Sequence, residues 1–230
     1  MTNSTLKMTA KELARYIDHT LLKPDATKPQ VRRLCEEALQ NHFYAVCVNS
    51  GMISTCNEVL KNTKIKLVSV VGFPLGACET SVKTFEAARA FNLGAHEVDM
   101  VLNISALKAG DYQFVEKEIA SVVHTAGGQV VKVILETFLL TDEEKVKACE
   151  LAVSAGAHFV KTSTGFGGGG ATIDDVLLMK KSVAGKAMVK ASGGIKNHAA
   201  AMDLIAAGAN RLGTSSGVLL ISDQDAFVGY

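Results

Sequence analysis

The sequence lacks most of the features that assign a function class at a glance. It has no excess of one charge: 24 Lys and Arg stand against 23 Asp and Glu, a formal net charge of +1. No long run of like charge breaks that balance, so neither nucleic acid nor a membrane surface is an expected partner. Its five cysteines, at 35, 47, 56, 78 and 149, include no C-x-x-C pair. They are odd in number and sit mostly in apolar strings such as Ala45-Val46-Cys47-Val48, which argues against a disulfide framework and for a reducing, cytoplasmic setting. Long apolar runs are missing as well. Leu67 to Val71 falls far short of a membrane span, and the opening segment carries Lys7, Lys11, Glu12, Arg15 and Asp18, so a secretory leader is not expected. The six histidines, His19 among them, show no H-x-E or H-x-x-x-H spacing, and neither a metal nor another cofactor is expected.

What is present is a regular alternation. The 230 residues are 48% hydrophobic and 20% charged, enough to bury roughly 70% of the unfolded surface without a disulfide or metal staple. Short apolar runs fall at Ile17–Thr20, Ala45–Asn49, Leu67–Gly72, Glu97–Leu102, Val130–Glu136, Phe159–Thr162, Ala187–Ala191 and Arg211–Gly213. Continuous runs of this kind, bounded by turn residues, mark strands buried on both faces of a parallel sheet. Between them lie amphipathic stretches such as Thr27–Asn41, Cys78–Asn92, Thr141–Ser154 and Thr172–Lys181. Thr141 followed by Asp142, Glu143 and Glu144 reads as a capped helix start. Three strands are entered through a near-repeat: Leu93-Gly94-Ala95-His96, Ala155-Gly156-Ala157-His158 and Ala207-Gly208-Ala209-Asn210. Each reads as a helix C-cap glycine with a tight turn into the strand.

Eight strands at that spacing account for the chain, and no linker or composition break divides it. The expected fold is α/β, a single (β/α)8 TIM barrel over 1–230 with a short N-terminal helix and a C-terminal tail from about residue 222. An open sheet would be expected to carry G-x-G-x-x-G after its first strand, and none is there.

In such barrels chemistry sits at the C-terminal ends of the strands. Three charges stand inside apolar runs there: Asp99, Lys161 and Lys190. Lys161 and Lys190 are one βα unit apart, which predicts matching heights on strands six and seven, and Asp99 belongs to strand four. Two buried ammonium groups repel, so one is expected to lose its proton and become a nucleophile towards a carbonyl. Asp99 would supply compensating charge and a proton route. Glycine-rich ends on three successive strands suggest a phosphate seat: Gly165 to Gly167, Gly193-Gly194, and Gly213 with Ser215 and Ser216, with Lys196 the nearest added cation. Glu136 closes strand five and reads as an ion-pair partner for the lysines. Cys47 reads as filler at the end of strand two.

The strings Ile17-Asp18-His19-Thr20-Leu21-Leu22, Val46-Cys47-Val48-Asn49, Gly72-Phe73-Pro74-Leu75-Gly76, Glu97-Val98-Asp99-Met100-Val101, Lys161-Thr162-Ser163-Thr164-Gly165-Phe166 and Val189-Lys190-Ala191-Ser192-Gly193-Gly194-Ile195 resemble the deoxyribose-phosphate aldolase family. That resemblance runs from about Ile17 to Ser216. It implies a metal-free class I aldolase interconverting 2-deoxy-D-ribose 5-phosphate with acetaldehyde and D-glyceraldehyde 3-phosphate. By the same resemblance Lys161 looks like the Schiff-base lysine, Lys190 the second lysine that lowers its pKa, and Asp99 a member of a proton relay with Lys190 and a water. Asp18, Thr20 and Thr164 resemble residues around the sugar hydroxyls, and Cys47 falls close to the pocket. Gly165, Gly193, Gly194, Gly213, Ser215 and Ser216 resemble the phosphate cradle. Tyr230 resembles a terminal tyrosine that assists proton transfer in some relatives. Two departures are visible: Ser50 follows Asn49 where the family often has Pro, and Lys196 stands where many relatives have Arg. A homo-oligomer, dimer or tetramer, is the expected assembly.

Overall fold

A computed structural model describes residues 8–222. Eight parallel strands close into one barrel in sequence order: β1 (Ile17–Leu21), β2 (Ala45–Val48), β3 (Lys66–Val71), β4 (Glu97–Val101), β5 (Val130–Ile134), β6 (Phe159–Lys161), β7 (Met188–Ser192) and β8 (Arg211–Thr214). β1 pairs with β2 on one side and with β8 on the other, so no strand edge is left open. Around them run α1 (Ala10–Ala14), α2 (Lys28–Gln40), α3 (Ile53–Leu60), α4 (Thr80–Asn92), α5 (Ile104–Lys108), α6 (Tyr112–Thr125), α7 (Asp142–Ser154), α8 (Ile173–Ser182), α9 (His198–Ala206) and α10 (Gly217–Ser222). The barrel expected from the alternation is the fold observed.

Local chemistry explains the boundaries. Thr141 caps α7, accepting from the Glu144 backbone while the Glu144 carboxylate accepts from the Thr141 N–H at 2.9 Å. The three repeat glycines, Gly94, Gly156 and Gly208, all lie at positive φ just after helices, as a C-cap requires. β5 ends two residues earlier than its apolar run suggests. Glu136 takes a left-handed backbone, φ 57°, and that turns the chain out of the sheet.

Two cores result from the alternation of strand side chains. Outward residues such as Val46, Val98, Val131, Val160, Val189 and Leu212 pack against the helices in the main apolar cluster. α2 contributes Val31, Leu34, Cys35 and Ala38, one face at helical spacing. Each such aliphatic side chain stabilises the fold by about 1.5–3 kcal/mol when fully buried. Inside the barrel the filling is divided. Towards β2 and β3 it is apolar, with Ala45, Cys47, Val68 and Val70. Towards β4 to β8 and β1 it is charged.

Candidate active site

Strand parity brings the charges together. On β4, Val98 and Met100 face the helices, so Glu97 and Asp99 face the lumen. The same alternation turns Lys132 on β5, Lys161 on β6, Lys190 on β7, Arg211 on β8 and Asp18 on β1 inward. Register then sets them level. Asp99 pairs with Lys132 across β4 and β5, Lys161 with Lys190 across β6 and β7, and Lys190 with Arg211 across β7 and β8.

The side chains form one buried network. Lys161 Nζ donates to Asp99 Oδ2 at 2.9 Å, and Lys190 Nζ donates to the same oxygen at 2.8 Å. Lys132 Nζ donates to Asp99 Oδ1 at 2.7 Å. It also stands 2.6 Å from Glu97 Oε2, an ion pair without hydrogen-bond alignment. Lys190 further pairs with Asp18, whose other oxygen accepts from Arg211 at 3.0 Å. Arg211 lies 3.7 Å from Glu97 Oε2 and stacks over the Tyr44 ring at 3.4 Å. Four cations thus face three carboxylates. Lys132, Lys190 and Arg211 each meet two of those carboxylates, and Lys161 meets one.

The electrostatics follow from these contacts. Burial works against the Asp99 carboxylate, yet Lys132, Lys161 and Lys190 outweigh it and hold it well below the usual carboxylate range. Burial likewise opposes a charge on Asp18, but Lys190 and then Arg211 lower it. For Lys190 burial favours the neutral amine, and the pull of Asp18 and Asp99 is greater, so its ammonium is held above the ordinary lysine range. Lys132 is raised in the same sense against its burial, chiefly by Asp99. At rest, Asp99 is therefore an acceptor between cations, and Lys190 is one of those cations.

Above this network opens a cleft of about 550 Å³, and Lys161 reaches its floor. The cleft is lined by Thr20, Thr164, Gly165, Gly193, Gly194, Lys196, Gly213, Ser215 and Ser216. All nine are residues that the sequence placed around the sugar or the phosphate. A Cβ at Gly165, at φ 85°, would meet nothing within 4 Å, so its bare backbone faces open space. α10 starts immediately after Ser216. Lys23, Phe166 and Ser192 also line the cleft, and sequence reasoning did not select them.

Other expected residues sit elsewhere. Asp18 and Cys47 are fully enclosed, one layer beneath the lining. The Cys47 thiol is pushed up to about 11, first by burial and then by Asp99, and it packs with Ala45 and Val68 as filler. Glu136 is not an ion-pair partner of the lysines: its Oε2 accepts from the Thr164 N–H at 3.2 Å and from the Thr164 hydroxyl. The left-handed turn at Glu136 carries its side chain past the strand end to the loop after β6. Tyr230 lies outside the described residues. Lys132, Arg211 and Glu97 were missed, although Lys132 stands in Val130-Val131-Lys132-Val133-Ile134, the same pattern that selected the other two lysines.

Among the described residues no group of three or more His, Cys, Asp or Glu is arranged to hold a metal ion, and no helix is long and apolar enough to cross a membrane. Comparison with known proteins gives a consistent result. The model of the DeoC/LacD family aldolases matches residues 13–220. The deoxyribose-phosphate aldolase of Thermococcus kodakarensis is 57% identical over 218 residues, covering 93% of this chain and 97% of that protein. The deoxyribose-phosphate aldolase of Bdellovibrio bacteriovorus is 54% identical over 219 residues, covering 95% of this chain and 100% of the other. Among solved structures, the tetrameric deoxyribose phosphate aldolase of Aeropyrum pernix matches with a TM-score of 0.90 at 34% identity, over 95% of this chain and 93% of that one.

Proposed function

This chain belongs to the DeoC/LacD family of aldolases, and from that premise we propose that Lys161 cleaves and forms a carbon–carbon bond through a Schiff base above Asp99. The chain reversibly cleaves 2-deoxy-D-ribose 5-phosphate to D-glyceraldehyde 3-phosphate and acetaldehyde. The observation that supports the assignment of Lys161 is its place in the network. It alone of the four cations lines the cleft, and it alone meets a single carboxylate. Its amine is the one of the four basic groups that a carbonyl compound in the cleft can reach.

That amine adds to the aldehyde carbon of the open-chain sugar, and loss of water gives the iminium. The water held by Asp99 and Lys190 takes the hydroxyl proton from the third carbon, the electron pair of the bond between the second and third carbons moves into the iminium to give the enamine, and glyceraldehyde 3-phosphate departs. The enamine left on Lys161 takes a proton at its terminal carbon, and hydrolysis returns acetaldehyde and the amine. Lys190, held protonated by Asp18 and Asp99, keeps a proton beside the reacting nitrogen, while Asp99 orients both lysines and relays that proton with a water. Thr20 and Thr164 face the sugar hydroxyls. The glycine-lined wall with Lys196, Ser215 and Ser216 seats the phosphate, Lys196 as a single point charge. Asp18 acts from beneath through Lys190, while Cys47 packs there as filler. Tyr230 assists proton transfer, which deletion of that residue and loss of acetaldehyde methyl-proton exchange would register. The working assembly is a homo-oligomer, and its setting is the cytoplasm, in keeping with five free cysteines.

The experiment is borohydride reduction in the presence of acetaldehyde, followed by peptide mapping. An ethyl group is expected on Lys161 and nowhere else, and none on a Lys161→Ala variant. An unmodified Lys161, or full turnover by that variant, refutes the assignment.

A further inference from the structure

We infer that the buried Lys83–Glu118 ion pair is a positioning device for the substrate cleft, fixing the loop between β3 and α4 so that Phe73 holds Phe166 in the cleft wall. The inference rests on the proposed aldolase reading and extends it to residues that touch neither substrate nor the lysine cluster.

Lys83 lies on α4, and both it and Glu118 on α6 have fully enclosed side chains. An ammonium so placed must have every N–H satisfied. Lys83 Nζ donates to Glu118 Oε2 at 2.8 Å, to the Gly76 carbonyl at 2.8 Å and to the Val101 carbonyl at 2.9 Å. Gly76 is in the loop after β3. Val101 ends β4, the strand that carries Asp99. One side chain therefore bolts the loop to the catalytic strand, and Glu118 holds the bolt.

The loop itself is packed around that lysine. At Gly72, φ 60°, a Cβ would stand 2.9 Å from Lys83 Cε, so only glycine lets the lysine stem pass. The Gly76 N–H closes the loop on the Gly72 carbonyl at 2.8 Å, and the Gly72 N–H donates to Glu86 at 2.9 Å. Held between them is Phe73, whose ring meets Phe166 edge to face, with centroids 5.4 Å apart and planes at 88°. Phe166 lines the cleft next to Gly165 and is half exposed, so its position depends on what stands behind it. A pair that merely filled space would need no bonds to two backbone carbonyls. These bonds join the loop to the strand and leave the lysine cluster untouched, so the expected effect is on binding of the phosphorylated end and not on bond cleavage.

The test replaces the pair by apolar residues of similar volume, Lys83→Met with Glu118→Leu, which removes both charges together and avoids stranding either one. KM for 2-deoxy-D-ribose 5-phosphate is expected to rise about tenfold with kcat changed by less than about twofold, the signature of lost uniform binding. Borohydride trapping of acetaldehyde, which has no phosphate, is expected to be unchanged. Phe73→Ala alone should reproduce the rise in KM, and combining it with the pair variant should add little. An unchanged KM in a folded variant, a fall in kcat at constant KM, or full additivity with Phe73→Ala overturns the inference. If the pair variant fails to fold, Phe73→Ala decides alone, and an unchanged KM refutes it. Wild-type turnover in the same assay reports separately on the proposed function.

Discussion

Replacing Asp99 by Asn tests the charge network at its centre. Asp99 accepts from Lys132 at 2.7 Å, from Lys190 at 2.8 Å and from Lys161 at 2.9 Å, with no exposed surface. Asn keeps the shape but turns an amide donor towards an ammonium and leaves Lys132 and Lys190, both held charged, short of one negative charge. Breaking a buried pair by removing one partner costs about 3–5 kcal/mol. For a domain of this size each kcal/mol moves Tm by about 2–4 °C, so the variant should melt roughly 10 °C below the parent. The pH dependence carries the sharper signature. The folded carboxyl of Asp99 titrates well below its unfolded value near 3.9, so its contribution is present above that value and fades as pH falls through the folded one. Calorimetry of both proteins from neutral to acid pH should show a full gap near pH 7 that closes below about pH 4. Turnover should fall by about 10²–10⁴-fold as the proton route is lost. A gap under about 1 kcal/mol, or one that stays constant into acid, would refute the reading of Asp99 as an ionised hub.

Gly213→Ala should misplace Lys190, because a Cβ there would stand 3.1 Å from Lys190 Cε and 2.9 Å from Ser192 Cβ; a fall in kcat of about 10–100-fold is expected in a coupled assay, with Tm little changed. Arg211→Lys should destabilise by about 1.5–3 kcal/mol in denaturant titration, since an ammonium cannot both stack on Tyr44 and bridge Asp18 to Glu97. Alkylation of the native protein at pH 8 should modify Cys78, which is partly exposed, and spare Cys47, whose buried thiol is pushed up to about 11; mass mapping reads the sites, and early modification of Cys47 would contradict its burial.

The barrel was legible because a parallel sheet covered on both faces must be written as short apolar runs, and all eight fell within two residues of the observed strands. Asp99, Lys161 and Lys190 were legible for the converse reason, since a charge inside such a run has nowhere inert to go. Lys132 meets the same criterion, but its run continues beyond it, away from any glycine-rich strand end. Arg211 and Glu97 open their strands, where a charge ordinarily reaches solvent, and only closure of the barrel encloses them. Glu136 shows the limit most clearly. Its side chain depends on a left-handed backbone that no neighbouring residue type announces, so a sequence-level partner among the lysines became Thr164 in the fold. The Lys83–Glu118 pair is invisible in sequence for another reason: a lysine and a glutamate on two amphipathic helices look like surface residues until the helices are docked.

The contacts of Asp18 bear on how the chain is made. Its partners Lys190 and Arg211 lie 172 and 193 residues further on, at the other end of the sequence. Until β8 has emerged and met β1, the cluster lacks its arginine and Asp18 stands without it. At roughly 5–20 residues per second, the 193 residues that separate Asp18 from Arg211 take on the order of 10–40 s to synthesise. The charge network inside the barrel is thus completed only by ring closure itself. Nascent and truncated chains that end before β8 carry Asp18 without the arginine that shares its charge.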